Sequence, residues 1–258
     1  MAYVGRARAA GRLTLLAGIV VAAAPLPAAE PAADAPRVLV LTRTEGFRHA
    51  SIPAARRALV AIGRQAGLEV TLTSDTRRFT STGLRRFRAV VFALTTGDVL
   101  DPPAQDALRR FVERGGGFAG IHSAADTESG WPFYGQLLGA RFRSHPPVQR
   151  AVVQVLDRSH PSTAHLPRRW ERVDEWYAFD DGPGPGVHVL ARLDEATYEP
   201  GEASMRGGHP IVWCRQVARG RSWFTAGGHT TAAYAERAFR AHLAGGLRYV
   251  AGLERGTC

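Results

Sequence analysis

Lysine is absent: all 33 basic residues of this 258-residue chain are arginine. That removes a Schiff-base lysine and a phosphate-loop lysine from the candidate chemistries. Cysteine is nearly absent, and Cys214 and Cys258 alone imply no disulfide framework. Cys214 stands in the apolar stretch IVWC, where it reads as a small buried hydrophobe, and Cys258, the last residue, is expected to be mobile. A bond between the two stays open, and a cysteine nucleophile is not expected. No close-spaced ligand pair such as H-E-x-x-H occurs, and internal repeats are lacking. Long apolar runs are scarce too. Leu13–Ala24 falls short of the roughly 20 residues that span a bilayer, and no other segment is long enough.

That one run has a telling context. Arg6, Arg8 and Arg12 precede it, and Pro25, Pro27, Ala28 and Ala29 follow, the order of a secretory signal peptide. We expect residues 1–29 to be a cleaved leader, cut after Ala28 or Ala29, with an uncleaved anchor as the alternative. No cysteine lies near the cleavage region, which argues against a lipid anchor. The mature chain is then exported, periplasmic, and without a stable membrane span. Losing the three leader arginines and no acid lowers the net charge from +10 to +7. The remaining arginines are scattered in pairs, such as Arg77 and Arg78 or Arg109 and Arg110, rather than gathered with interleaved aromatics. This predicts a basic solvated surface and no nucleic-acid partner.

With 45% hydrophobic and 22% charged residues, the rest suits one globular domain. A short linker over 30–36 precedes a domain over 37–253, and a tail over 254–258 closes the chain. RVLVLT (Arg37–Thr42), LEVTLT (Leu68–Thr73), AVVFAL (Ala89–Leu94) and GFAGIH read as strands. Between them, Ser51 can cap a helix running to about Ala66, and Asp101 with Pro102 opens another that ends near Gly115. Such alternation predicts a mostly parallel sheet in a flavodoxin-like three-layer α/β sandwich. From Ala151 on, AVVQVL, VHVLARL, HPIVWCRQV and RSWFTAG are strands between Gly- and Pro-rich loops, which predicts extra antiparallel strands in the C-terminal half. Thr231–Val250 returns to helical spacing.

In such a fold, ligands bind at the carboxyl ends of the strands. His49, His122, His145, His209 and His229 sit near predicted turns or strand ends, with Asp126, Asp174, Glu175 and Asp180 as acidic partners. His122 and His229 each follow glycines that let the backbone approach closely. In DEWYAFD, Trp176 and Tyr177 stand beside carboxylates, an arrangement that can hold a sugar by stacking and hydroxyl hydrogen bonds. His160, His165, His188 and His242 read as structural. The triple glycine before GFAGIH is weak evidence for phosphate, because no phosphate-binding turn follows the strand.

The ordered set EGFRHAS, ERGGGFAGIHSAADT, LLGARFRSHPP, DEWYAF, HPIVW and GRSWFTAGGHT resembles the ThuA-like (trehalose utilisation) family, from about Arg37 to Gly252. The resemblance implies the class I glutamine amidotransferase-like fold. Relatives of that fold carry a nucleophilic cysteine at a strand-to-helix elbow, where GIHSA places His122, so a glutamine amidotransferase is not expected. The family's characteristic positions map to His49, His122, His145, His209, His229, Glu175 and Tyr177. They imply carbohydrate metabolism, on disaccharides or their 3-keto derivatives, and allow a bound divalent metal such as zinc. On this reading His122, Glu175 and His229 are catalytic or metal-ligating, while His49, Trp176, Tyr177, His145 and His209 bind a small carbohydrate. The rival reading is a non-catalytic carbohydrate-binding module.

Overall fold

The computed structural model describes residues 1–3, 5, 35–180 and 182–258. Most of the expected leader, its cleavage positions and most of the linker therefore lie outside the described residues. The chain divides into the units Met1–Glu30 and Pro31–Cys258, and the fold below is that of the second. Among the described residues, no helix is long and apolar enough to cross a membrane.

The elements in order are β1 (Arg37–Leu41), α1 (Ile52–Gln65), β2 (Glu69–Thr73), α2 (Ser81–Leu84), β3 (Ala89–Ala93), α3 (Pro102–Glu113), β4 (Gly117–Ile121) and α4 (Pro132–Leu138). They continue with β5 (Phe142–Ser144), β6 (Gln149–Val155), β7 (Arg169–Asp174), β8 (Ala178–Phe179), β9 (His188–Asp194), β10 (His209–Val217), β11 (Gly220–Thr225) and α5 (Arg237–Val250). One sheet runs β2-β1-β3-β4-β11-β10-β9-β6-β7, and β5 pairs with β8 apart from it. Strands β2, β1, β3, β4 and β11 are mutually parallel, whereas β10, β9, β6 and β7 join in antiparallel pairs.

The burial patterns follow from that division. Both β3 and β4 are buried at every residue, as unbroken apolar runs require when both sheet faces are covered. Strands β6 and β7 alternate instead, as one-sided antiparallel strands do. Phe92, Phe118 and Tyr134 interlock with ring centroids 5.4–5.7 Å apart, each ring contributing about 1.5–3 kcal/mol through burial. Helices α1 and α5 pack on each other.

Three expectations change. Ser51 occupies the N-cap of α1 but makes no capping bond; its hydroxyl points to the Gly228 carbonyl at 3.5 Å. Asp101 does cap α3, accepting from the Ala104 N–H at 2.9 Å. The Thr231–Val250 segment is broken into a 3-10 turn, Ala232–Ala235, and α5. The tail is not loose: Cys258 is disulfide-bonded to the fully buried Cys214 with Cα atoms 6.0 Å apart, and Thr257 donates to Asp157 at 2.6 Å.

Beyond the parallel strands, the bridges Thr44↔Thr96 and Gly97↔Thr127 extend the pairing. They clamp the loops after β1, β3 and β4 to one another at the carboxyl edge, where the histidines gather.

Candidate metal and acid-base site

His122 follows the last residue of β4 directly, with φ of 53°. This left-handed backbone is uncommon for a residue with a Cβ. The imidazole is fully buried rather than exposed at the tip as an elbow nucleophile would be. Its Nδ1–H donates to the Ala226 carbonyl at 2.7 Å, which leaves Nε2 as the ring nitrogen that faces the cluster. That nitrogen lies 3.3 Å from His229 Nδ1 and 3.4 Å from Glu175 Oε2.

His229 comes from the loop after β11, the neighbour of β4 in the sheet. Its position depends on Asp174, the last residue of β7. The Asp174 carboxylate accepts from the backbone N–H groups of Gly228 (2.8 Å) and His229 (3.0 Å). It also pairs with Arg172 at 2.9 Å, with side chains 3% and 0% exposed. The glycines before His229 make room for this clasp. A Cβ on Gly227 would lie 2.6 Å from the Arg172 guanidinium, and Gly228 has φ of +116°. Glu175, next in sequence to the clasp, is thereby delivered to the same point.

The Glu175 carboxylate is surrounded by imidazoles. His229 Nδ1 is 2.9 Å from Oε2, and His145 Nδ1 is 3.2 Å from Oε1. Burial works to raise the Glu175 pKa, but hydrogen bonds and charge from His122 and His229 outweigh it and hold it at about 2. The hydrogen bond to Glu175 in turn raises the His229 pKa. His49 completes the group, its ring 4.8 Å from His122 and 5.1 Å from His229. Burial, reinforced by its neighbouring histidines, lowers its pKa to about 3, so it is a neutral acceptor near neutral pH.

One ligand atom from each of His49, His122, Glu175 and His229 lies within 4.8 Å of the others. The triangle formed by His122, His229 and Glu175 has edges of 2.9, 3.3 and 3.4 Å. Donors on a tetrahedral zinc with bonds near 2.0–2.1 Å stand about 3.3 Å apart, so the residues present fit such an ion. The Ala226 carbonyl on the far nitrogen of His122 is the usual support of a ligating histidine.

The remaining expected site residues divide. Tyr177 packs its ring on His122 with centroids 4.2 Å apart, and His145 stacks on Tyr177 at 5.8 Å. Trp176 is instead fully buried and donates its indole N–H to the Gln149 carbonyl at 2.9 Å, so it has no free face for a sugar. His209 is also fully buried. It donates Nε2–H to the Tyr177 carbonyl at 2.8 Å and sets Nδ1 2.8 Å from Glu195, bracing the site from behind rather than lining it. Asp126 and Asp180 lie outside the cluster. His160 and His242 are buried and bonded to Ser162 and its carbonyl, as structural residues.

A mostly parallel α/β sandwich with a histidine at its strand-end elbow has the class I glutamine amidotransferase-like fold. The chain belongs to the ThuA family, described as "Trehalose utilisation", whose sequence profile matches residues 37–250. This places its function, in general terms, in carbohydrate metabolism. A ThuA-like protein from Bacteroides uniformis is 25% identical with a TM-score of 0.71, the match covering 86% of this chain and 95% of that one. Another, from Parabacteroides merdae, is 20% identical with a TM-score of 0.68, covering 86% and 92%. A β-galactosidase from Bacillus circulans shares the fold over 84% of this chain and 30% of its own, at 13% identity and a TM-score of 0.54. No curated protein matches the chain.

Proposed function

We propose that the protein is an exported enzyme acting on keto-glycosides or disaccharides related to trehalose, through His/Glu acid-base chemistry assisted by a divalent metal. The observation that carries this reading is the buried triangle of His122, His229 and Glu175, with the ring of His122 oriented by the Ala226 carbonyl so that Nε2 faces the other two.

His122, His229 and Glu175 would hold the ion, with His49 beside them. A zinc ion there supplies an electrophile for a carbonyl oxygen. The chain's own groups handle protons. A carbon-bound proton beside a 3-keto group is acidified, and an imidazole nitrogen of the site that does not hold the ion accepts it. The released electron pair forms the C1–C2 double bond as the C1–O glycosidic bond breaks, and the departing oxygen takes a proton from a donor at the rim such as His145. Water adding across the double bond completes hydrolysis.

The test incubates the mature protein with trehalose, simple glucosides and their 3-keto forms, with and without chelator, and reads products by mass spectrometry and NMR. Chelator-sensitive conversion that His122→Ala abolishes is the expected result. Unchanged conversion in His122→Ala overturns the assignment. Line broadening of the sugar signals without conversion returns the protein to a carbohydrate-binding module.

A further inference from the structure

Phe47 is 65% exposed, the single large aromatic so exposed among the described residues of the Pro31–Cys258 unit. Its exposure does not come from a loose loop. Thr96 Oγ1 donates to the Phe47 carbonyl at 2.8 Å, the Glu45 N–H donates to the Thr96 carbonyl at 2.8 Å, and Thr44 bridges to Thr96. The ring meets His49 edge-on with centroids 4.8 Å apart, and His49 lies 5.1 Å from His229. Phe47 therefore stands within a disaccharide's length of the cluster.

The rim of the site offers two kinds of surface. The side chains of His145 and His229 are 39% and 25% exposed, whereas His122 and Glu175 beneath them are 0% and 8% exposed. One rigid apolar face, joined to the cluster through His49, matches a pyranose, which has an apolar C–H face and a fringe of hydroxyls. A single ring is far too small for a protein interface, which covers about 800 Å² per partner.

We propose that Phe47 is the stacking platform that seats the apolar face of a pyranose ring beside the His/Glu cluster. The inference rests on the carbohydrate reading above and names the residue that recognises the sugar, the role that Trp176 is too buried to fill.

The experiment uses the full mature chain, its Phe47→Ala and Phe47→Trp variants, and trehalose and 3-keto-trehalose as probes. Saturation-transfer NMR reads sugar binding, and a separate titration reads zinc affinity. Phe47→Ala is expected to weaken sugar binding about tenfold while zinc affinity and melting temperature stay at the wild-type values. Phe47→Trp is expected to restore binding, and the added indole to change its fluorescence with trehalose. Equal affinity in wild type and Phe47→Ala, or no binding of either sugar to the wild type, overturns the proposal. Phe47-dependent binding without conversion of the keto-sugar keeps the platform and removes the catalytic reading. Conversion with KM unmoved by Phe47→Ala does the reverse.

Discussion

Glu175 places one carboxylate against three imidazoles, those of His122, His145 and His229. Because the His229 pKa is raised chiefly by its hydrogen bond to Glu175, Nδ1 holds a proton that must leave before the nitrogen can ligate. Metal affinity should therefore rise with pH through that raised value, with a proton released on binding. Glu175→Gln removes both a ligand and the group that holds this proton. Zinc affinity should fall by roughly 100-fold or more, and the midpoint of its pH dependence should move to lower pH. Calorimetry in two buffers of different ionisation enthalpy measures both quantities. Unchanged affinity with an unmoved midpoint would show that Glu175 is no ligand. His122, His229 and Glu175 were legible in the sequence as residues near strand ends and through family motifs, whereas His49, expected to bind a sugar, is buried among them. Trp176 and His209 were not placed correctly. In the short run Glu175-Trp176-Tyr177 beyond a strand end, residue order does not say which ring turns toward the site and which toward Gln149.

Strand β7 shows why an element can stay hidden while its neighbours are plain. Its buried positions are Trp170, Arg172 and Asp174, and its exposed ones are Arg169, Glu171 and Val173. Two charges face inward and an apolar residue faces out, so hydropathy alternation gives no strand signal. The parallel strands β1, β3 and β4 were legible because burial on both faces leaves unbroken apolar runs. The inversion in β7 is tolerated because Arg172 pairs with Asp174 and lies over the Phe239 ring, 4.3 Å from its centroid. Asp174 in turn ties the backbone of His229 to the strand that carries Glu175. Asp174→Asn keeps the shape but leaves Arg172 deep in the protein with only Glu236 as a charged partner. It should cost about 3 kcal/mol in urea unfolding and, as a supporting residue, weaken zinc binding by about 10–100-fold. A variant that loses stability but binds zinc as wild type does would separate the clasp from the site.

At the scale of the molecule, the bond between Cys214 and Cys258 spans 44 residues of sequence and joins the last residue to strand β10. Composition could not reveal it, because two cysteines with one at the chain end fit a free pair equally well. Strand pairing places Cys214 in β10, and α5 ends eight residues before Cys258, returning the tail to that strand. Closing a loop of this length restricts the unfolded chain and is worth about 2–4 kcal/mol. A stable disulfide belongs to an oxidising compartment, which agrees with the proposed export through residues 1–29. Protein recovered from the periplasm should therefore lack both the leader and free thiols, as mass spectrometry after alkylation without reduction would show. Cys258→Ala leaves Cys214 as a small buried hydrophobe and should lower the melting temperature by roughly 5–15 °C. Its zinc affinity should not change, because neither cysteine belongs to the four-residue cluster. Two alkylatable thiols in protein retaining residues 1–29, with no change in melting for Cys258→Ala, would count against both the staple and the export route. The same thiols in correctly processed protein would count against the staple alone.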